Sequence, residues 1–186
     1  VKNGIISPEV PLSAFSLTGY SGGGKKMIEE YESENRAKLL DAPRMYAVSQ
    51  THKHLPEMKK VCGLFSSPIF CPIVAPFYSG MEVTVTLFGE SVTGEIKAIK
   101  EVYGDYYKKG LVHFEEDVGN FLSACELSGY DDMQITVCGN EERILLVSRF
   151  DNLGKGASGA AIQNMNISLG VEDSFGLNLK YKENRK

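Results

Sequence analysis

Three short stretches of this 186-residue chain carry residue types at spacings that could do chemistry. The first is TGYSGGGKK, residues 18–26, where Gly19, Gly24 and Lys25 match the phosphate-loop pattern GxxxxGK[ST]. Glycines in that pattern let backbone N–H groups converge on a phosphate, and the final hydroxyl ligates Mg²⁺. Position 26 is Lys, so the hydroxyl is missing, and no convincing apolar-strand-plus-Asp partner follows. A nucleoside triphosphatase is therefore disfavoured. Two readings stay open: an anion site built from Ser21, Gly22, Gly23, Gly24 and Lys25 at a helix start, or a flexible turn that only caps the helix.

The second stretch is HKHLPE, residues 52–57. In extended backbone His52 and His54 share one face, while Pro56 presets the first turn of a helix that Glu57 enters. Two imidazoles and a carboxylate within six residues stand out in a chain with 3 histidines. A metal site needs third and fourth ligands, and no Cys or His cluster supplies them, so no metal is expected. General acid–base chemistry needs one imidazole, oriented by a neighbour such as Glu57. On the residues alone, acid–base, metal and solvent-facing loop all remain open.

The third stretch is DNLGKGASG, residues 151–159, in which Gly154, Gly156 and Gly159 spell GxGxxG after the apolar run ILLVSRF. The match to a dinucleotide-binding turn is superficial, because the segment beyond it has room for a helix and one strand and offers no strand ending in an acidic ribose ligand. A glycine-rich helix entry packed on a neighbouring domain or cofactor is one reading, and a plain N-cap loop is the other.

These stretches must be held by ordinary elements. MEVTVTLF, residues 81–88, alternates with period two, which puts Met81, Val83, Val85 and Leu87 toward a core and leaves a Thr-rich face for water or a second subunit. Further strands are expected at 45–49, 69–75, 111–114, 134–138 and 144–150, with a hairpin at Gly139-Asn140. Helical patterning covers 25–39, with Met27, Ile28 and Tyr31 as its apolar stripe, and 94–107. Two more helices start near Pro56 and near Ala157, the last with Ala160, Ala161, Met165 and Leu169 at helical spacing. The order of elements implies an α+β domain with a mainly antiparallel or mixed sheet and helices on one face.

Composition excludes several classes. A net charge of -4 provides no basic field for nucleic acid, and the basic residues Lys180, Lys182, Arg185 and Lys186 are too few to change that. No apolar run is long enough to span a bilayer and no signal pattern opens the chain, so a cytoplasmic protein with no membrane partner is expected. The four cysteines, Cys62, Cys71, Cys125 and Cys138, form no CxxC pair and are expected as reduced thiols.

Four segments in order, GYSGGGKKMIEEYE (19–32), HKHLPEM (52–58), PIFCPIVAPFYSGMEVTVTL (68–87) and NLGKGASGAAIQNMNISLG (152–170), resemble the second domain of the shorter form of the N-acetyl-γ-glutamyl-phosphate reductase family, an arginine-biosynthesis group. The resemblance covers most of the chain. It implies a fold like the C-terminal domain of glyceraldehyde-3-phosphate and aspartate-semialdehyde dehydrogenases, NADP(H) as cofactor of the full-length enzyme, and as partners a small acyl phosphate and a second copy of the chain. In that family a cysteine thiolate displaces phosphate, NADPH delivers hydride and a histidine handles protons; an imidazole beside a thiol also lowers its pKa. The resemblance places the histidine in HKHLPE. His54 is expected as acid/base with His52 and Glu57 organising it, and Asn152, Gly154, Lys155, Gly156 and Ala157 are expected near the cofactor.

The sequence departs from the family in having no Asn-Pro-Gly-Cys string, and none of its four cysteines sits in a comparable setting. The implied organisation is a substrate-binding and dimerisation domain at 1–151, followed by a Gly-rich loop and helix at 152–186 that pack on an NADP-binding domain the chain lacks. Such a chain is expected to be inactive alone. A non-catalytic anion-binding or oligomerisation module is the alternative.

Overall fold

The computed structural model describes residues 1–181; of the basic residues near the C-terminus, Lys182, Arg185 and Lys186 lie outside them. Seven strands form one mixed sheet: β1 (Ser13–Gly19), β2 (Arg44–Met45), β3 (Ile69–Ala75), β4 (Met81–Phe88), β5 (Val112–Phe114), β6 (Met133–Gly139) and β7 (Arg143–Phe150). Their spatial order is β2-β3-β1-β4-β7-β6-β5. The β1–β3 and β5–β6 pairs are parallel and the other four are antiparallel. Helices α1 (Gly24–Glu32), α2 (Leu55–Cys62) and α3 (Glu95–Tyr106) cover one face, and α4 (Gly159–Leu169) follows β7. None of the described helices is long and apolar enough to cross a membrane.

The core lies between that helical layer and the sheet. Ile99 of α3 packs on Leu87, Val137 and Ile144, Leu55 of α2 on Ala14 and Phe70, and Tyr31 of α1 on Leu40 and Val74. Register confirms the shared face, since Ala14 pairs with both Val85 and Phe70, and Leu87 pairs with Ile144. Strand β4 has the expected bounds. Its two faces are less distinct than period two implies, because every residue from Met81 to Thr86 is half-buried in this central strand.

Several expectations need correcting, each for a physical reason. Strand β1 was not among the expected strands: its buried residues, Ala14, Ser16, Thr18 and Gly19, are small or polar. The helix expected over 25–39 ends at Glu32, where Ser33 turns to extended backbone. Beyond Tyr31 the stripe would fall on Asn35 and Lys38, which have no apolar surface to bury; the Arg36 guanidinium instead donates to the Tyr31 carbonyl at 3.1 Å. The strand expected at 45–49 shrinks to two residues, since Ala47 and Gln50 adopt left-handed backbone with φ of 49° and 57°. Of the stripe on α4, Met165 and Leu169 face outward, and the buried residues of that helix are Gly159 and Asn166.

The remaining boundaries fall close to the sequence pattern. The β6–β7 hairpin turns at Gly139, with φ of 106°, and the Asn140 carboxamide oxygen accepts the Glu142 and Arg143 N–H groups at 3.0 Å each. All four cysteines are free.

Candidate functional site

A cavity of about 410 Å³ opens at the C-terminal end of β1, and all three chemistry-bearing stretches reach it. Its floor is the small-residue face of β1, Ser16, Thr18 and Gly19, with Phe70 and Val74 from β3 and Met81 from β4. Gly22, Gly23 and Met27 form one wall, Tyr46 and the 52–54 segment a second, and Asn152 with Gly156 a third. The small buried side chains that hid β1 from sequence patterning leave room for this cavity.

The His52–His54 arm descends from β2, and one side chain holds it to the sheet. At Gln50 the backbone has left the edge of β3, but the carboxamide takes its place: Nε2 donates to the Phe70 carbonyl at 2.8 Å and Oε1 accepts the Phe70 N–H at 2.9 Å. These bonds satisfy an edge residue of β3 that would otherwise lack a partner strand. The His52 ring packs on Phe70, with centroids 5.1 Å apart, and on His54 at 4.8 Å. His54 then becomes the N-cap residue of α2, with Pro56 in its first turn.

The two imidazoles differ chemically. His52 Nδ1 accepts the His54 backbone N–H at 3.2 Å, so the neutral ring must carry its proton on Nε2. Burial, and then electrostatic interaction with His54 and Lys53, hold the His52 pKa below its usual value, which favours the neutral Nε2–H form. His54 is exposed, and no hydrogen bond among the described residues commits its ring nitrogens. One ring is thus fixed as a donor while the other is free to exchange a proton.

The opposite wall is a tightly bonded corner. Buried Asp151 accepts four donors: the N–H groups of Leu153 at 2.6 Å and Gly154 at 3.1 Å, the Ser79 hydroxyl at 3.1 Å, and the Gly129 N–H. The Asn152 carboxamide oxygen accepts the Gly80 N–H at 2.8 Å, and its Nδ2 donates to Ser21 Oγ at 2.9 Å. Ser21, one of the expected anion ligands, is therefore a buried anchor for the glycine loop.

Other expected residues lie off the cavity wall. Gly24 and Lys25 begin α1 outside it, with the Lys25 side chain 91% exposed and 3.8 Å from Glu29. Glu57 is exposed on α2. Lys155 is half-buried and donates to Gln163 at 2.6 Å; burial lowers its pKa against the opposing pull of Asp173, Asp132 and Asp131. Ala157 is exposed and does not line the cavity. Tyr46, Lys53 and the β1 floor were not singled out from sequence, since each needs the third dimension to reach the site.

The residues present meet only one part of a dinucleotide. A Cβ on Gly154 would lie 2.4 Å from the Tyr130 carbonyl oxygen, and one on Gly159 would lie 2.3 Å from Asp131 Oδ1. Those glycines serve contacts within the chain and form no pyrophosphate cradle. Asn152 and Gly156 alone among the five expected residues border the cavity. No cysteine lines the cavity among the described residues, and burial pushes the Cys125 thiol up, away from thiolate character. No group of three or more His, Cys, Asp or Glu arranged to hold a metal occurs among them.

Comparison with known proteins bears on the whole chain. The model for the semialdehyde dehydrogenase dimerisation domain matches residues 1–152. The chain is 36% identical to N-acetyl-gamma-glutamyl-phosphate reductase 2 of Nostoc sp., over 95% of this chain and 60% of that protein. It is 38% identical to N-acetyl-gamma-glutamyl-phosphate reductase of Sinorhizobium fredii, over 89% of this chain and 56% of that protein. The chain thus spans little more than half the length of these relatives. Among solved structures, aspartate semialdehyde dehydrogenase II of Vibrio cholerae superposes with a TM-score of 0.65 at 16% identity, covering 90% of this chain and 56% of the other. A probable aspartate-semialdehyde dehydrogenase of Pseudomonas aeruginosa gives 0.62 at 17% identity, over 86% and 55%. These two likenesses concern the fold.

Proposed function

Because the chain belongs to the semialdehyde dehydrogenase dimerisation-domain family, we propose that it is the substrate-binding and dimerisation part of a cytoplasmic reductase. The whole enzyme would convert N-acetyl-γ-glutamyl phosphate to the semialdehyde with release of phosphate, a step of arginine biosynthesis, as the names of its relatives suggest. The observation that carries this reading is the single cavity shared by the glycine loop, the His52–His54 pair and the Asn152 corner.

In this reading each group in the chain has a limited task. His54, with its ring nitrogens uncommitted, takes up and returns the proton. His52, fixed as a neutral Nε2–H donor, hydrogen-bonds an oxygen of the reacting acyl group. Gly22 lets the substrate approach the loop closely, Gly23 makes room for the Met27 side chain, and Ser21 and Asn152 hold that loop in place. NADPH, when bound, would supply the hydride, and Asn152 and Gly156 would border it; Gly154, Lys155 and Ala157 do not line the cavity. The nucleophilic thiolate, and the domain that carries the dinucleotide, come from outside these 186 residues. Of the 152–186 segment, the glycine-rich loop and α4 would pack on that domain; residues 182–186 lie outside the described ones.

The exposed part of the sheet face opposite the helices, which excludes the buried Val147 and Arg149, supports a second copy as partner. Opposite the helices it exposes Phe15, Ile69, Phe88 and Leu145, with Thr84 and Thr86 between them. Apolar side chains gathered on an uncovered sheet face suit isologous pairing. A Phe15→Asp substitution is expected to shift sedimentation toward monomer, and an unchanged mass would count against this face.

The catalytic reading is tested in a complete reductase carrying this domain. His54→Ala should lower turnover by roughly 10²–10⁴-fold, and an unchanged rate removes His54 from the acid/base role. The 186-residue chain mixed with NADPH and acyl phosphate should show no steady turnover. Sustained turnover would show that it holds a nucleophile after all.

A further inference from the structure

The cavity proposed above as the substrate site is electrically one-sided. Among the described residues that line it, Lys53 is the one Lys or Arg, and none is Asp or Glu. Its sequence neighbours on both sides are the two cavity imidazoles. The cations that the sequence pattern put forward for an anion are elsewhere: Lys25 is turned to solvent against Glu29, and Lys26 is exposed and off the wall. Lys53 makes no ion pair with any described carboxylate. Its charge also reaches into the site, as one of the causes that lower the pKa of His52.

A lysine with no ion-pair partner among the described residues, on the lining of a concave cavity, attracts anions more strongly than one on an open surface. Its three donors suit a compact oxyanion without demanding the planar geometry of a guanidinium. We propose that Lys53 is the substrate-gripping cation of this cavity, binding an oxyanion group, carboxylate or phosphoryl, of a small acidic ligand. The inference rests on the reading of the cavity as the substrate site. It assigns the electrostatic grip to the histidine arm and leaves the glycine loop to provide close approach.

The test is titration of the 186-residue chain with N-acetyl-L-glutamate and, separately, with inorganic phosphate, comparing the unaltered protein with Lys53→Gln and Lys25→Gln. Lys53 is exposed on a turn, so its replacement should leave the amide NMR spectrum of the sheet unchanged. Lys53→Gln is expected to weaken at least one probe about tenfold, the loss of one charge-assisted hydrogen bond, while Lys25→Gln leaves both Kd values within about twofold. Loss confined to phosphate assigns Lys53 to the phosphoryl end, and loss confined to N-acetyl-L-glutamate assigns it to a carboxylate. If the unaltered chain binds a probe and Lys53→Gln binds it equally well, the assignment of Lys53 falls and the cavity reading stands. Equal losses in both variants would also overturn the assignment, as a general charge effect. If the unaltered chain binds neither probe at millimolar concentration, the cavity reading itself falls and takes Lys53 with it.

Discussion

The two sides of the cavity are built by opposite means. At the Asp151–Asn152 corner, buried side chains consume backbone N–H groups from several segments, so β7, the β3–β4 turn and the glycine loop are tied at one place. The His52–His54 arm hangs from the sheet by the Gln50 carboxamide and a ring contact with Phe70, with two left-handed residues in its path. Rigidity is concentrated where backbone must be placed. The residues suited to moving protons and meeting charge sit on the side with the fewest restraints, where a small displacement costs little.

That contrast can be broken or sharpened by substitution. The largest effect is expected from Asp151→Ala, which removes the acceptor of three part-buried backbone N–H groups, leaves the Ser79 hydroxyl with Ser128 alone, and should cost about 3 kcal/mol, read from urea unfolding. A loss below about 1 kcal/mol would mean that the corner is not the rigid side. Asn152→Ala removes the bonds to Gly80 and Ser21 and should cost about 2 kcal/mol, with faster amide exchange across the glycine loop. On the other wall, Gln50→Ala should cost about 1 kcal/mol globally, because water can reach the freed groups of Phe70. Its exchange effect should be confined to Phe70 and the histidine arm; spread to the Asn152 corner would show that the two walls are one unit.

The smallest expected effect is on protonation. The folded-state pKa of His52 lies below its usual 6.5, so the native state disfavours the imidazolium. This contribution to stability is fully present above the unfolded pKa and is lost as pH falls through the lowered folded one. In NMR titration His52 should protonate at lower pH than a free histidine. Lys53→Gln should raise that midpoint by removing a cation that depresses it. No change in the midpoint would place the Lys53 charge too far from the ring to matter.

Much of this architecture was legible as pattern. The alternation in MEVTVTLF, the glycine and asparagine at the β6–β7 turn, and Pro56 at the start of α2 depend on interactions within a few residues, and each element falls where those interactions put it. Strand β1 was invisible for the reason that makes it useful: its inward side chains are small and form a cavity floor, so they lack the apolar signal of a strand packed under helices. Left-handed Ala47 and Gln50 were equally hidden, because their cost is offset by a bond to Phe70, 20 residues further on.

The sequence by itself determined which chemistry is available: two histidines two residues apart, a glycine loop, and a cysteine set without the expected nucleophile motif. Tertiary structure decided which of those groups meet. It turned Lys25 and Glu57 outward, made Ser21 and Asn152 anchors, and brought Lys53 to the cavity between its flanking histidines. Local spacing fixes side-chain direction only within one element, whereas this site draws on β1, β3, the arm after β2 and the corner after β7. Their relative placement is set by sheet register and by buried hydrogen bonds between segments far apart in the chain.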